Sequence, residues 1–429
     1  MWRTVDVGVA QTGRMEPVDA TAVEAAAQRL AQVVPVTPLQ RSERLSARVG
    51  GDVWLKREDL QVVRSYKVRG AYNLIAQLSG PERAAGVVCA SAGNHGQGLA
   101  YACSALGVHG RVYVPRTTPR QKRDRMAALG GDVVTVEVVG DTYDDAAAAA
   151  LADAARTGAV LVPAFDDVRT IAGQGTVVRE AVQQLGRTPD LVVLPVGGGG
   201  LLAGAVAWLG ACAPETRVVG VEPAGAASMA AALAAGAPVV LGELDSFVDG
   251  AAVRRAGDVT FPLVRDSGAA LLPVAEGRIC VEMLELYQSD GIIAEPAGAL
   301  APAALGDVVH PAPGTTTLVV LSGGNNDVSR YAEVVERALV HEGRKHYFLV
   351  EFPQEPGALR AFLDDVLGPD DDITLFEYVK RSNRETGPAL VGIELGRPED
   401  LAALLERMAA APPAIERVPP DSPLFRFLL

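Results

Sequence analysis

Apolar residues follow alternating strand and helix spacings over most of the chain. Short apolar runs alternate with longer stretches in which apolar residues recur at helical spacing. This alternation is typical of parallel strands joined by right-handed crossovers. It predicts strands at 86–90, 112–114, 132–136, 160–162, 191–195 and 217–222, and helices at 97–106, 120–129, 142–156, 173–185 and 201–209. We therefore expect an open α/β protein, with ligands beyond the carboxyl ends of the strands.

The flanking segments add further elements to this pattern. Residues 1–20 show no periodicity and are interpreted as an N-terminal lead-in. Helical spacing over 22–30 and a strand at 52–56 follow, and the charged residues 56–59 after them are expected to form a solvated rim. Other predicted elements are helices at 71–78, 228–235 and 279–289 and a strand at 317–321.

A separate pattern occupies the C-terminal part. Strands at 347–352, 373–380, 389–395 and around Ile415 alternate with helices at 358–367 and 398–409. The order βαββαβ is that of a ferredoxin-like unit, here without a catalytic constellation, so we interpret it as a binding or regulatory module. The predicted division is a lead-in (1–20), a main domain (21–335) with a smaller subdomain at about 65–165, a linker (336–345) and the module (346–429).

Composition excludes several functional classes. The chain has 429 residues, a net charge of -13 and 5% aromatic residues, and no basic stripe suited to nucleic acid. The first twenty residues lack a charged segment followed by an apolar one, so no signal peptide is expected. The uncharged run 191–213 is interrupted by a proline and four glycines, so no membrane span is expected. Four scattered cysteines are typical of reduced thiols in a cytoplasmic protein.

Two loops suggest a covalently held phosphate compound. Ser65-Tyr66-Lys67-Val68-Arg69-Gly70-Ala71 places a lysine between a hydroxyl, an aromatic ring and a helix-forming run, and we interpret Lys67 as a covalent cofactor anchor. Gly197-Gly198-Gly199-Gly200-Leu201 follows a strand, and its glycines let the backbone wrap closely around a phosphate. Neither the P-loop nor the dinucleotide fingerprint is met, so a single phosphate monoester fits best.

Two further loops offer polar groups at strand ends. Residues 91–98 precede a helix, whose free N–H groups suit a carboxylate or phosphate. His95, which has glycine beside it and no nearby carboxylate, is interpreted as structural. Residues 321–326 present the Ser322 hydroxyl after the last strand of the main domain. Glu295 is interpreted as a helix-start carboxylate in preference to a buried, perturbed one.

In order, these motifs resemble those of threonine dehydratase (threonine ammonia-lyase), a pyridoxal-phosphate family of the tryptophan synthase β-like fold (fold type II). The C-terminal module is similar to the single ACT-like regulatory domain of the shorter biosynthetic members. The resemblance thus spans nearly the whole chain. It implies two open parallel-sheet subdomains followed by a ferredoxin-like α+β domain.

The resemblance also implies roles for the motif residues. Lys67 would form the Schiff base with pyridoxal 5'-phosphate, Asn94 would bond the ring hydroxyl and Ser322 would face the pyridine nitrogen. The phosphate would be held by Gly197, Gly198, Gly199, Gly200 and Leu201. Donors to the substrate carboxylate would come from Ser91, Ala92, Asn94 and His95.

At two sites the chain differs from related serine racemases, and these differences bear on the type of reaction and on metal binding. Ala92 stands where those enzymes carry a serine that serves as the acid/base on the opposite face, and this favours elimination over racemisation. Of their divalent-metal ligands, Glu222 and Ala226 match, but Ser228 replaces an aspartate. A hard cation prefers more oxygen charge than this, so no metal is expected.

The implied activity is the dehydration and deamination of L-threonine to 2-oxobutanoate and ammonia, the first step of isoleucine biosynthesis. L-serine stays open as a substrate. The alternatives are a catabolic serine/threonine dehydratase and a catalytically silent amino-acid sensor. The C-terminal module implies feedback inhibition by isoleucine, bound near Pro356 and Gly357, and the family resemblance implies a homotetramer.

Overall fold

The computed structural model describes residues 18–378 and 385–419, together with Ser422, Leu424, Phe425 and Leu428. Most of the predicted lead-in and the last two residues of the predicted strand 373–380 lie outside these residues. The helices are α1 (Ala20–Leu30), α2 (Glu43–Val49), α3 (Lys67–Ile75), α4 (Gly80–Ala85), α5 (Asn94–Leu106), α6 (Arg120–Gly130), α7 (Tyr143–Thr157), α8 (Val168–Leu185), α9 (Gly200–Cys212), α10 (Ser228–Ala235), α11 (Thr260–Ser267), α12 (Glu276–Gln288), α13 (Pro296–Ala304), α14 (Tyr331–His341), α15 (Ala358–Val366) and α16 (Leu401–Ala410).

Two sheets form the main part of the molecule. The larger comprises β1 (Leu39–Arg41), β2 (Asp52–Arg57), β7 (Leu191–Pro195), β8 (Arg217–Pro223), β9 (Ala270–Val274) and β10 (Thr316–Leu321). Its order is β1-β2-β10-β7-β8-β9, with only the β1–β2 pair antiparallel. The smaller is all parallel, in the order β5-β4-β3-β6, and comprises β3 (Val87–Ala90), β4 (Gly110–Val114), β5 (Val134–Val138) and β6 (Val160–Leu161).

These parallel strands are apolar on both faces because helices cover both sides of each sheet. In the larger sheet Val193 and Val219 belong to one core cluster, and Val192 and Leu194 to another on the opposite face. A third cluster, which includes Val87, fills the smaller unit. The predicted α/β architecture with two parallel-sheet subdomains is confirmed.

The C-terminal part has its own antiparallel sheet. It comprises β11 (Lys345–Pro353), β12 (Asp372–Tyr378), β13 (Thr386–Glu394) and β14 (Ala414–Val418), in the order β12-β13-β11-β14. Phe348, Phe352 and Phe362 pack in a core that is separate from those of the main part. This is the predicted ferredoxin-like arrangement. The predicted linker 336–345 lies in the second half of α14 and the turn before β11, and the domain boundaries themselves stay a prediction.

The start of α3 differs from the prediction. The sequence placed Lys67 in a loop and began the helix at 71, but α3 begins at Lys67 itself. Gly70, in the first turn of α3, serves close packing. A Cβ added there would lie 2.8 Å from Thr170 Cγ2, and one on Gly173 would lie 2.5 Å from Arg69 O. Glycine at both positions lets α3 and α8 approach each other closely.

The predicted solvated rim at residues 56–59 is wrong, since Lys56 and Glu58 are fully buried. The Arg69 guanidinium donates to both oxygens of Glu58 at 2.8 and 2.9 Å and to both oxygens of Glu180 at 2.9 and 3.1 Å. Lys56 Nζ also contacts Glu180, at 2.5 Å. The neighbouring cations hold the pKa of Glu58 below its usual range despite its burial. Charged residues that the sequence predicted to be exposed thus connect α3 to α8 and to β2 through buried ion pairs.

Removing one member of this network leaves buried charges without a partner. We expect Arg69→Met to lower the free energy of unfolding by roughly 3–5 kcal/mol, measured as a shift of the urea midpoint followed by tryptophan fluorescence. The control is Arg120→Met, because the Arg120 side chain is 86% exposed and forms a surface ion pair with Asp124. That variant should change stability by less than about 1 kcal/mol. Equal effects of the two substitutions would contradict the account.

Candidate active site

The carboxyl ends of β3, β7 and β10 lead into loops near one cavity of about 700 Å³. Its lining comes from both sheet units and includes Tyr66, Lys67, Ser91, Ala92, Gly93, Asn94, His95, Gly197, Gly198, Gly199, Gly200, Leu201, Glu295 and Asn325. All four predicted loops therefore contribute directly to one site, although the loop 321–326 does so through Asn325 and Ser322 is not among the lining residues.

Lys67 enters this cavity from the first turn of α3. Its Nζ donates to the carbonyl oxygen of Ala164 at 3.1 Å and lies 5.2 Å from the centroid of the Tyr66 ring. The Tyr66 N–H donates to Ser322 O at 3.2 Å, so the lysine loop is joined to the loop after β10. A primary amine is thus presented at a fixed place between the two sheet units.

The glycine loop between β7 and α9 is tightly enclosed. Gly199 has φ +92°, and a Cβ there would lie 2.4 Å from Met229 Cε. A Cβ on Gly198 would lie 2.4 Å from the Phe165 ring. The Thr260 hydroxyl donates to Gly198 O at 2.7 Å and holds the loop from the other side. Because the first N–H groups of α9 have no intrahelical partner, the loop can bind an anion.

The loop after β3 brings polar groups to the opposite side. Asn94 Nδ2 donates to Glu295 Oε1 at 2.5 Å, and Asn94 Oδ1 accepts from Asn325 Nδ2 at 2.6 Å. The Ser91 hydroxyl accepts from the Gly93 N–H at 3.3 Å. Ala92 contributes no polar side-chain atom to the cavity wall.

His95 is buried, and its Nε2 lies 2.7 Å from the carbonyl oxygen of Val162. Burial lowers the pKa of His95 to about 4, and the charge of Lys67 contributes in the same direction. A neutral imidazole bonded to backbone fits the structural role expected from the sequence.

Ser322 is buried at the end of β10, and its hydroxyl donates to Ala297 O at 3.0 Å. The hydroxyl is therefore held against the start of α13. An isolated bridge between Ser65 and Gly323 brings this segment beside the lysine loop.

The interpretation of Glu295 as a helix-start carboxylate is wrong in its main point. It occupies the N-cap position of α13, but its side chain makes no capping bond. It is 4% exposed, and burial raises the pKa of Glu295 to about 7, with Asp249 adding to the rise. Its carboxyl group faces Asn94 in the cavity instead of the helix end.

Sequence reasoning missed several residues of the site. Phe165 and Thr260 border the glycine loop, and Asn325 holds Asn94. Lys122 Nζ and Asp249 Oδ2 form an ion pair of 2.8 Å at the cavity wall. A signal existed only for Asn325, which belongs to the quoted loop 321–326; the others become neighbours only through the fold.

The candidate metal-binding positions lie apart from this cavity lining. Glu222 uses its two carboxyl oxygens to accept from the Met229 and Ala230 N–H groups, at 2.7 and 2.8 Å. The Ser228 hydroxyl is buried and has no hydrogen-bond partner among the residues that the structure describes. Among the described residues, no group of three or more His, Cys, Asp or Glu side chains is placed to hold a metal ion.

None of the described helices combines the length and the apolar character that are needed to cross a bilayer.

Comparisons with known proteins match both parts of the chain. Residues 30–323 match the family described as pyridoxal-phosphate dependent enzyme, and residues 336–428 match the C-terminal regulatory domain of threonine dehydratase. The chain is 63% identical over 409 residues to the biosynthetic L-threonine dehydratase IlvA of Mycobacterium tuberculosis, covering 95% of each protein.

Solved structures agree with these matches. The processed form of threonine deaminase isoform 2 from Solanum lycopersicum aligns with a TM-score of 0.69 and 37% identity, over 76% of this chain and 96% of that one. Maize serine racemase aligns with the same TM-score and 30% identity, over 76% of this chain and 99% of that one.

Proposed function

The chain belongs to the pyridoxal-phosphate-dependent enzymes and, within them, to the biosynthetic L-threonine dehydratases. From this premise we propose how the residues of the cavity carry out the reaction. The protein dehydrates and deaminates L-threonine to 2-oxobutanoate and ammonia, the first step of isoleucine biosynthesis. The observation that carries the proposal is the meeting of Lys67, Asn94 and the glycine loop in one cavity.

The cavity fits pyridoxal 5'-phosphate. Side chains at Gly198 and Gly199 would collide with Phe165 and Met229, so the backbone there stays bare for a phosphate group. We assign the phosphate to Gly197, Gly198, Gly199, Gly200 and Leu201, the ring hydroxyl to Asn94, the ring nitrogen to Ser322 and the covalent bond to Lys67. When bound, the cofactor supplies an electron sink that makes the α-hydrogen of an amino acid acidic.

Lys67 has two tasks in this proposal. Its amine would anchor the cofactor, and the same amine, when free, would remove the α-proton of the substrate. Ser322 would offer a neutral hydroxyl to the ring nitrogen, where a carboxylate would favour a protonated ring. A neutral partner would keep the electron sink weak and would favour prompt loss of the β-hydroxyl.

The loop of Ser91, Ala92, Asn94 and His95 orients the substrate through its carboxylate. Ser91 and Ala92 precede α5, and Asn94 and His95 are its first two residues, so the free N–H groups at the start of that helix suit a carboxylate. Because Ala92 has no hydroxyl, this position offers no acid/base group that could return a proton to the other face of the α-carbon. We therefore assign elimination, not racemisation.

The alternatives are weakened by the same observations. A catabolic serine/threonine dehydratase is disfavoured by the match of residues 336–428 to a regulatory domain and by the identity to a biosynthetic enzyme. A catalytically silent sensor has no need for an amine in the cavity beside a phosphate-sized glycine loop.

For the C-terminal domain we propose that isoleucine is the inhibitor and that it binds near Pro356 and Gly357. These two residues lie in the exposed turn between β11 and α15, where Gly357 has φ +96°. We further propose a homotetramer in the cytoplasm, as the resemblance implied.

α14 offers a route from this domain to the cavity. Arg337 and Arg330 place their guanidinium groups 4.4 and 4.8 Å from the Phe247 ring centroid, and Arg330 also donates to Phe247 O at 2.8 Å. Asp249, from the same segment as Phe247, lines the cavity. Glu336, next to Arg337 in the middle of α14, accepts from Lys345 and Tyr347 of β11 at 2.6 and 2.5 Å.

The activity is tested by assaying ketoacid release from L-threonine and L-serine. We expect wild-type protein to release 2-oxobutanoate from threonine, and both Lys67→Ala and Lys67→Arg to lose at least about a hundredfold in turnover, because neither side chain can take the proton at neutral pH. Lys67→Arg is the matched control, since it keeps the positive charge. Wild-type turnover in either variant would rule out Lys67 as the catalytic residue.

The cofactor assignment is tested at the glycine loop. Gly199→Ala introduces a Cβ at positive φ and 2.4 Å from Met229 Cε, and we expect pyridoxal phosphate to bind at least about tenfold more weakly. Gly210→Ala in α9, the helix that follows Gly199, is the control, because a Cβ there meets nothing within 4 Å. Spectroscopic titration of apoenzyme gives both affinities. Unchanged affinity in Gly199→Ala would place the phosphate elsewhere.

Regulation is tested by titrating isoleucine into the threonine assay. We expect inhibition in the wild type and weaker inhibition in Arg337→Met, with uninhibited turnover kept, because the variant loosens α14 from Phe247. Arg120→Met, on an exposed face of α6, should respond as the wild type does. If isoleucine leaves wild-type turnover unchanged, the regulatory proposal fails and the catalytic one stands.

A further inference from the structure

The Asn94 side chain is held by two residues that the motifs do not assign. Glu295 precedes α13 and Asn325 lies in the loop after β10, 201 and 231 positions away from Asn94 in the sequence. Both line the cavity together with Asn94. The hydrogen bonds of 2.5 and 2.6 Å fall on opposite ends of the Asn94 amide.

These partners determine which end of the amide is nitrogen. Asn325 Nδ2 also donates to the backbone carbonyl of Val63 at 2.8 Å, and a carbonyl can only accept. The nitrogen of Asn325 is thereby fixed, so the atom of Asn94 that faces it must be the oxygen. If the Asn94 amide were flipped, its NH₂ group would face the NH₂ group of Asn325, and its oxygen would face the Glu295 carboxyl group.

The space around Glu295 is shaped for its carboxyl group. A Cβ on Gly323 would lie 2.1 Å from Glu295 Oε1, so only glycine leaves room there. The raised pKa of Glu295 reflects burial and Asp249, while the bond from Asn94 and the charges of Lys122 and Lys67 act in the opposite direction. Above neutral pH the ionised carboxylate is a strong acceptor for the Asn94 N–H.

We propose that Glu295 and Asn325 are positioning residues that hold the Asn94 amide with its nitrogen end available to the cofactor. One N–H of Asn94 is donated to Glu295, and the second is left for a ligand acceptor in the cavity. The proposal rests on the proposed function, because it takes the acceptor to be the ring oxygen of pyridoxal phosphate.

The test is a double-mutant cycle read out by cofactor binding, not by activity. The variants are Asn94→Ala, Glu295→Ala, Asn325→Ala and the doubles Asn94→Ala/Glu295→Ala and Asn94→Ala/Asn325→Ala. Apoenzyme is titrated with pyridoxal phosphate, the dissociation constant and the visible absorbance maximum are recorded, and far-UV circular dichroism checks folding. Glu295→Gln serves as the conservative variant, because its amide oxygen can still accept from Asn94.

We expect Glu295→Ala and Asn325→Ala each to weaken cofactor binding about tenfold, as loss of one strong hydrogen bond implies. Neither should weaken it further in the Asn94→Ala background, since both act through Asn94. Glu295→Gln should restore most of the affinity and the wild-type absorbance maximum. If Glu295→Ala does not fold, the positioning proposal is tested by Glu295→Gln and by comparing Asn325→Ala with the double variant Asn94→Ala/Asn325→Ala.

Three other outcomes overturn the account at different points. Losses that add to that of Asn94→Ala would show that Glu295 and Asn325 act elsewhere, and the positioning proposal would fail alone. Unchanged cofactor binding in Asn94→Ala would remove the role of Asn94 and with it the proposal. Wild-type apoenzyme that does not bind pyridoxal phosphate would overturn the proposed function itself.

Discussion

The close approach of α3 to α8 is the constraint on which the site depends. Glycines at positions 70 and 173 bring the two helices together, and the ion network of Arg69 with Glu58 and Glu180 ties them. Lys67 is the first residue of α3. Its amine is therefore placed by packing that begins within one helical turn, so the reactive group sits on a rigid element and not on a free loop.

Around this fixed amine, the site divides its chemistry between backbone and buried polar groups. The glycine loop offers N–H groups and little else, which suits a phosphate. Across the cavity, the Asn94 amide is set by Glu295 and Asn325. His95 is kept neutral by burial and bonded to backbone, and position 92 carries only a methyl group. In the mechanism that we propose, proton transfer is concentrated on Lys67, as an elimination with one acid/base face requires.

Local signals in the sequence predicted much of the fold and of the site. Strand and helix periodicity and glycine-rich turns can be recognised from residues that are neighbours in the sequence. They predicted the parallel sheets, the C-terminal ferredoxin-like unit and four loops that the fold brings close together. The burial of Lys56 and Glu58 and the pairing of Glu295 with Asn94 were not predictable in this way. Lys56 and Glu295 each pair with a residue more than a hundred positions away, and Glu58 pairs with Arg69 on the next helix. A charged residue alone does not reveal such a partner.

The central claim is that Lys67 carries the cofactor at the meeting point of these loops. The most direct measurement is borohydride reduction of the protein loaded with pyridoxal phosphate, followed by digestion and mass spectrometry of the labelled peptide. The account predicts a single pyridoxyl label on Lys67. A label on Lys122, the other lysine of the cavity wall, or a protein that takes no label would contradict it.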